Sequence, residues 1–254
     1  MEQDNELTFW EHLDVLRGSL IRMVVASVLC GIVAFCFKET LFDIVLAPHT
    51  SRFFIYKLLG GEPFEIHLVN IGLTEQFMIH MKTAFFVGIL AVSPYILYLL
   101  YKFIAPALYA NERHYATRIV GGGYVMFMIG VVVNYCLIFP LTVRFLGNYQ
   151  VSDAVGNMLS LQSYMDTFIM MSLVFGLIFE IPIISWLLAI FGLLKAKWMR
   201  DNRKYAVVSI LVISAVITPT SDAFTMLIVS IPIWLLYEVS IWIVASTKSR
   251  ATQD

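Results

Sequence analysis

Phe168-Ile-Met-Met-Ser-Leu-Val-Phe-Gly-Leu-Ile-Phe-Glu-Ile-Pro-Ile-Ile-Ser-Trp-Leu-Leu-Ala-Ile-Phe191 decides the fold class. A helical span of a bilayer core takes about 20 mainly apolar residues, and this run supplies them. Glu180 falls at its centre with no basic residue on the same segment. An acid at that depth costs on the order of 2.5–3.5 kcal/mol on insertion scales, so such residues face a protein interior or a wet cavity and mark function. The bland alternative is a neutral acid hydrogen-bonded inside a helix bundle. Pro182 has no N–H, so a carbonyl one turn earlier, near Glu180, loses its helical donor. An acid and a helix defect therefore meet at membrane depth.

The rest of the chain agrees with a membrane assignment. It has 254 residues, 59% hydrophobic and 14% charged. Soluble domains carry about 25% charged residues, so this composition belongs in lipid. Six apolar segments are expected, at approximately 19–37, 76–100, 118–140, 166–191, 205–217 and 224–245, within one polytopic domain of 1–254. The first follows a short amphipathic helix over Thr8–Arg22 and has no A-x-A-like cleavage site, so it reads as a retained span. Pro94 is expected to kink the second. Gly121-Gly-Gly123 suggests close backbone approach in the third, and outer loops are expected over Lys38–Glu75 and Leu141–Tyr164.

The fifth segment is too short to span alone, at roughly 20 Å of helix against a core of about 30 Å. Beside a midplane acid, that shortfall points to local bilayer thinning or to water reaching Glu180. Pro48 and Thr218-Pro219 mark turns, and Asp222 is placed to cap the returning helix. Lys and Arg divide twelve to five in favour of the side bearing both termini, which the positive-inside rule makes cytoplasmic.

Cys30, Cys36 and Cys136 lie inside apolar runs, without CxxC or metal-ligand spacing. No HExxH, GxSxG, P-loop or dinucleotide turn occurs, so neither an enzyme nor a cofactor is expected. A proton-coupled secondary transporter using Glu180 is the alternative function. Against it, the two halves show no matching broken helices.

His12-Leu13-x-x-Leu16-Arg17, Phe103-Ile-Ala-Pro106-Ala-Leu-Tyr109-x-x-Glu112-Arg113 and Phe175-Gly-x-x-Phe-Glu180-x-Pro182 resemble the TatC family. So do Thr218-Pro219-x-x-Asp222 and Ile231-Pro232 with Glu238, and the likeness runs in order along the whole chain. That family is the membrane-embedded receptor of the twin-arginine translocase. The resemblance implies an all-α integral membrane protein of the bacterial inner membrane, with six helices in a concave cup and the last two spans short. It implies binding of twin-arginine signal peptides of folded exported proteins, recruitment of TatA- and TatB-type single-span partners, and contact with lipid in an oligomeric assembly. No nucleic acid is expected.

A receptor for two adjacent arginines needs carboxylates, because guanidinium binds carboxylate bidentately. Glu112 is the candidate, with Arg113, Phe103 and Pro106 beside it and Arg17 on the N-terminal helix. The family's second acid, in a Leu-x-Glu-Leu-Arg pattern, falls here on Val15. Glu11 lies one helical turn earlier and is the better substitute by direction; Asp14 is adjacent but points about 100° away. Glu180 and Pro182 are the expected intramembrane contact for partner helices.

Overall fold

The computed structural model describes residues 9–50, 53–59, 67–104, 116–149, 158–218 and 222–247. Eleven α-helices are found among them. They are α1 (Phe9–Phe35), α2 (Lys38–Leu46), α3 (Phe54–Leu59), α4 (Glu75–Ile104), α5 (Ala116–Val133), α6 (Phe139–Asn148), α7 (Leu161–Ile178), α8 (Ile181–Ile190), α9 (Ala196–Asp201), α10 (Arg203–Ile217) and α11 (Ala223–Ser246). Two-residue strands, β1 (Leu68–Val69) and β2 (Leu159–Ser160), pair in parallel, with Leu68 opposite Leu159. Among the described residues, five helical stretches are long and apolar enough to cross a membrane: Leu13–Phe35, Glu75–Phe103, Ile119–Asn148, Leu161–Ile190 and Ala223–Ser246. α10, with 15 residues, reaches about 22 Å and falls short of the roughly 30 Å core.

The chain divides into two compact units, Met1–Phe42 with Phe77–Tyr124 and Asp43–Gln76 with Val125–Asp254. In the first, α1 and α4 run antiparallel and touch through small residues. A Cβ on Gly88 would lie 2.5 Å from the Ser27 carbonyl oxygen, and one on Gly31 would lie 3.3 Å from the Phe85 Cα. Further along, the Phe35 ring stacks on His80 with centroids 3.9 Å apart. α1 is a single helix, so the amphipathic lead-in and the first span form one rod. α4 runs on through Pro94. Pro94 offers no N–H to the Leu90 carbonyl, and the Ser93 hydroxyl donates to that carbonyl instead, at 2.7 Å.

The second unit is built on an antiparallel seam between the α5–α6 rod and α7. Phe127 packs on Gly176, and a Cβ on Gly130 would lie 2.5 Å from the Phe175 carbonyl oxygen. Next along the seam, Asn134 Nδ2 donates to Ser172 Oγ at 2.9 Å, both residues fully buried. Beyond them Phe139 meets Phe168 and Tyr164 edge-on, at 5.1 and 4.9 Å between centroids. Close approach therefore occurs at Gly130 and not at Gly121, where a Cβ would meet nothing within 4 Å.

The α5–α6 rod does not stop at Pro140, and helix occupies Phe139–Asn148 where a loop is expected from the sequence. One π-helical turn, Asn134–Ile138, precedes the proline. Its wider ring relieves the clash that Pro140 would make with the carbonyl four residues back.

Three tyrosine hydroxyls tie the segment after α1 to this seam. Tyr135 donates to the Ile44 carbonyl (2.7 Å), Tyr164 to the Val45 carbonyl (3.1 Å), and Tyr56 reaches the carbonyls of both Pro48 and Pro140 (2.8 and 3.0 Å). Burial pushes the Tyr56 phenol well above its usual range, and the Arg144 charge opposes that in part.

Candidate functional site

Glu180 stands about two-thirds of the way from Leu161 to Ile190, in the turn that separates α7 from α8. Its N–H donates to the Leu177 carbonyl at 3.1 Å, one residue closer than an α-helix requires, and its own carbonyl accepts from Ile184 N–H at 2.9 Å, restarting the ladder. Pro182, buried in the first turn of α8, supplies no N–H to the Ile178 carbonyl. The break expected from the sequence is therefore present, at Phe179–Glu180. The Glu180 side chain is 8% exposed, and its Oε1 is buried with no hydrogen-bond partner among the described residues. Orphaned buried polar atoms are rare and ask for a ligand, a water or a partner. Nothing basic stands beside this acid on its own helices.

Of the other expected site, only Asp14, Arg17 and Phe103 have described side chains, all on α1 and α4 of the first unit. α1 and α4 keep one register through Phe35 against His80, Gly31 against Ala84 and Ser27 against Gly88. Each four-residue step on α1 matches a four-residue step on α4. Continued along both helices, this register sets the first turns of α1 level with the last turn of α4. Asp14 and Arg17, both exposed, then share an end of the unit with half-buried Phe103. Pro106, Glu112, Arg113 and Pro219 lie outside the described residues, as does the side chain of Glu11.

The turn residues are structural. Pro48 is buried in a 3-10 turn, Ala47–His49, and its carbonyl accepts from Tyr56. Asp222 is the N-cap of α11, accepting from Thr225 N–H at 2.8 Å and from the Thr225 hydroxyl at 2.5 Å. Glu238 pairs with Arg203, the first residue of α10, at 2.5 Å.

Glu75 and Asn134 are buried polar residues to which the sequence assigns no role. Glu75 is buried and accepts four hydrogen bonds: from the N–H groups of Gly72 (2.8 Å), Ile71 (3.1 Å) and Gln162 (3.0 Å), and from the Ser160 hydroxyl (3.1 Å). Its bonds to Gly72 and Ile71 resemble a capping box, a local signal legible in Gly72-Leu-Thr-Glu75. Asn134 is the other, and a lone amide in an apolar run is itself a signal of helix–helix hydrogen bonding. Among the described residues no group of three or more His, Cys, Asp or Glu could hold a metal ion.

Residues 11–232 match the family described as "Sec-independent protein translocase protein (TatC)". Proteins of that name are similar over nearly the whole chain. The one from Carboxydothermus hydrogenoformans is 31% identical over 248 residues, covering 98% of this chain and 97% of its own. The one from Koribacter versatilis is 34% identical, covering 92% and 84%, and that from Aquifex aeolicus 32%, covering 96% and 98%. A crystal structure of the twin arginine translocase receptor TatC superposes with a TM-score of 0.75 at 32% identity, covering 92% of this chain and 97% of that one. A second crystal structure of that receptor, in DDM, gives 0.76 at 31%.

Proposed function

This chain belongs to the TatC family of Sec-independent protein translocase proteins, and from that membership and its own geometry we propose how it works as a twin-arginine signal-peptide receptor. The family is one of translocase components, not of enzymes. The peptide site lies where α1 begins and α4 ends. Glu112 takes the paired arginines as a bidentate acceptor, helped by Glu11 or Asp14, while Phe103 and Pro106 supply walls and Arg17 and Arg113 set the local charge. The α1–α4 register supports this reading, because it levels Asp14 and Arg17 with Phe103.

Glu180 and Pro182 serve the second task, contact with the single spans of TatA- and TatB-type partners. The observation that carries this is the partnerless buried Oε1 of Glu180 at a helix break. A polar atom at that depth is satisfied by a polar residue on an arriving helix, and such interhelical bonds contribute about 0.6–2 kcal/mol. The protein works in the bacterial inner membrane as one polytopic domain of six spans, with both termini cytoplasmic and more than one copy in the working assembly. It moves folded proteins that carry twin-arginine signals.

The test is crosslinking of the purified chain to a twin-arginine peptide and to its twin-lysine counterpart. Loss of a charged hydrogen-bond set costs about 1.5–3 kcal/mol, so Glu112→Ala should weaken twin-arginine binding roughly 10- to 150-fold and barely change the already weak twin-lysine control. Equal binding of both peptides by the unaltered chain would remove the receptor reading and favour a transporter.

A further inference from the structure

The six-residue helix α9 lies on the connection between Ile190, where α8 ends, and Arg203, where α10 begins. One side of it is anchored. Met199 is buried with Ala189, Ile241 and Val244, and Tyr237 donates its hydroxyl to the Met199 carbonyl at 2.8 Å. The other side of it, together with the start of α10, is cationic and aromatic. Lys195, Lys197, Arg200 and Lys204 are all exposed, as are Trp198 (61%) and Tyr205 (60%). Lys204 Nζ lies 5.0 Å from the centroid of the Tyr205 ring. Two carboxylates are near in sequence or space. Asp201 is exposed, and Glu238 is taken by Arg203 at 2.5 Å. The patch is strongly positive after both are counted.

We infer that this α9 apron binds the headgroup of an anionic phospholipid. The patch joins a membrane-crossing rod to α10, so its cations stand at the boundary between hydrocarbon and water, where lipid phosphates lie. Exposed Trp and Tyr at that level are what an interfacial belt uses. α10 is also short for the hydrocarbon core, and a bilayer that thins to meet it brings headgroups toward Arg203–Tyr205. Because Met199 and Tyr237 hold the backbone, Lys195, Lys197 and Arg200 are placed before a lipid arrives, which limits the ordering cost of binding. An acidic protein segment would satisfy the same charges, but it has no need of the aromatic pair or of the position at the boundary. It uses none of the residues assigned to the proposed peptide and partner contacts.

The experiment is native mass spectrometry of the full chain in mild detergent, titrated with phosphatidylglycerol or with phosphatidylcholine of the same acyl chains. The unaltered chain should prefer phosphatidylglycerol, less so as salt rises. Each cation near a membrane surface contributes about fivefold to anionic-lipid binding. Lys197→Gln with Arg200→Gln should therefore weaken phosphatidylglycerol binding on the order of 20- to 30-fold. Lys197→Arg should retain it, and so should the control pair Lys38→Gln with Lys57→Gln. Should the double Gln variant fail to fold, Arg200→Gln alone reads the same effect at about fivefold. Equal binding of the two lipids overturns the proposal, and so does unchanged phosphatidylglycerol binding by the Gln variants. If those variants keep the lipid but lose crosslinks to an acidic polypeptide, the apron is a protein dock and the lipid site is refuted.

Discussion

The carboxylate of Glu75, at the start of α4, accepts from the backbone N–H of Gln162, in the first turn of α7, at 3.0 Å. The same Oε1 accepts from Ser160, while Oε2 accepts from Ile71 and Gly72. One side chain thus closes the turn that leads into α4 and fastens it to the β2–α7 entry, where Ser160 is also the N-cap of α7. The parallel pairing of Leu68 with Leu159 lies directly beside it.

Glu75→Gln should loosen this junction, because an amide presents an NH₂ where the carboxylate accepts on both oxygens. Hydrogen exchange should quicken at Leu68–Gly72 and Leu159–Gln162, and quicken further in Glu75→Ala. Unchanged protection at both places would show that the strand pair holds without the carboxylate.

Gly130 and Ser172 test the α5–α7 seam in opposite ways. A Cβ at Gly130 would meet the Phe175 carbonyl oxygen at 2.5 Å and the Phe179 Cβ at 2.9 Å, the first a backbone atom and the second bonded directly to the backbone, so neither can swing aside. Gly130→Ala should therefore destabilise by about 1–3 kcal/mol, the usual cost of overpacking. Ser172→Ala removes the Asn134 partner and should cost about 0.6–2 kcal/mol. Thermal unfolding in detergent reads both. Gly121→Ala, which meets no neighbouring atom within 4 Å, is the neutral control.

Glu180 is expected to register partner helices and not to carry transported protons. Glu180→Gln keeps a hydrogen-bonding group of the same size and should retain most export. Glu180→Ala should lose crosslinks to a partner span yet keep signal-peptide binding. Export assays beside the two crosslinking readouts separate these roles. Should Gln prove as damaging as Ala while partner crosslinks stay intact, titration of the acid is essential.

Orientation is tested by single cysteines at Lys57, Asn148 and Lys197, all exposed, in a background lacking Cys30, Cys36 and Cys136. An impermeant thiol reagent added to intact cells should label the first two and spare Lys197→Cys. The reverse pattern would invert the topology and move the peptide site to the outer face.

Much of this protein is legible without coordinates because membrane segments and local breaks are encoded in short windows. The apolar rods follow from composition, the turn at Phe179–Glu180 from Pro182, the α11 cap from Asp222, and the shortness of α10 from the distance between Lys204 and Thr218. Each depends on residues within about one helical turn of one another or on a simple run of apolar side chains. Pro140 misleads for the same reason. A proline reads locally as a helix end, but the π turn at Asn134–Ile138 lets the rod continue, with Tyr56 holding the Pro140 carbonyl from far away in sequence. Which glycine is pressed by a neighbour, where the three tyrosine hydroxyls go, what Glu238 pairs with and what Glu75 holds are all decided between elements. An antiparallel register sets them, and no periodicity within one helix reveals which residue of another helix will stand opposite.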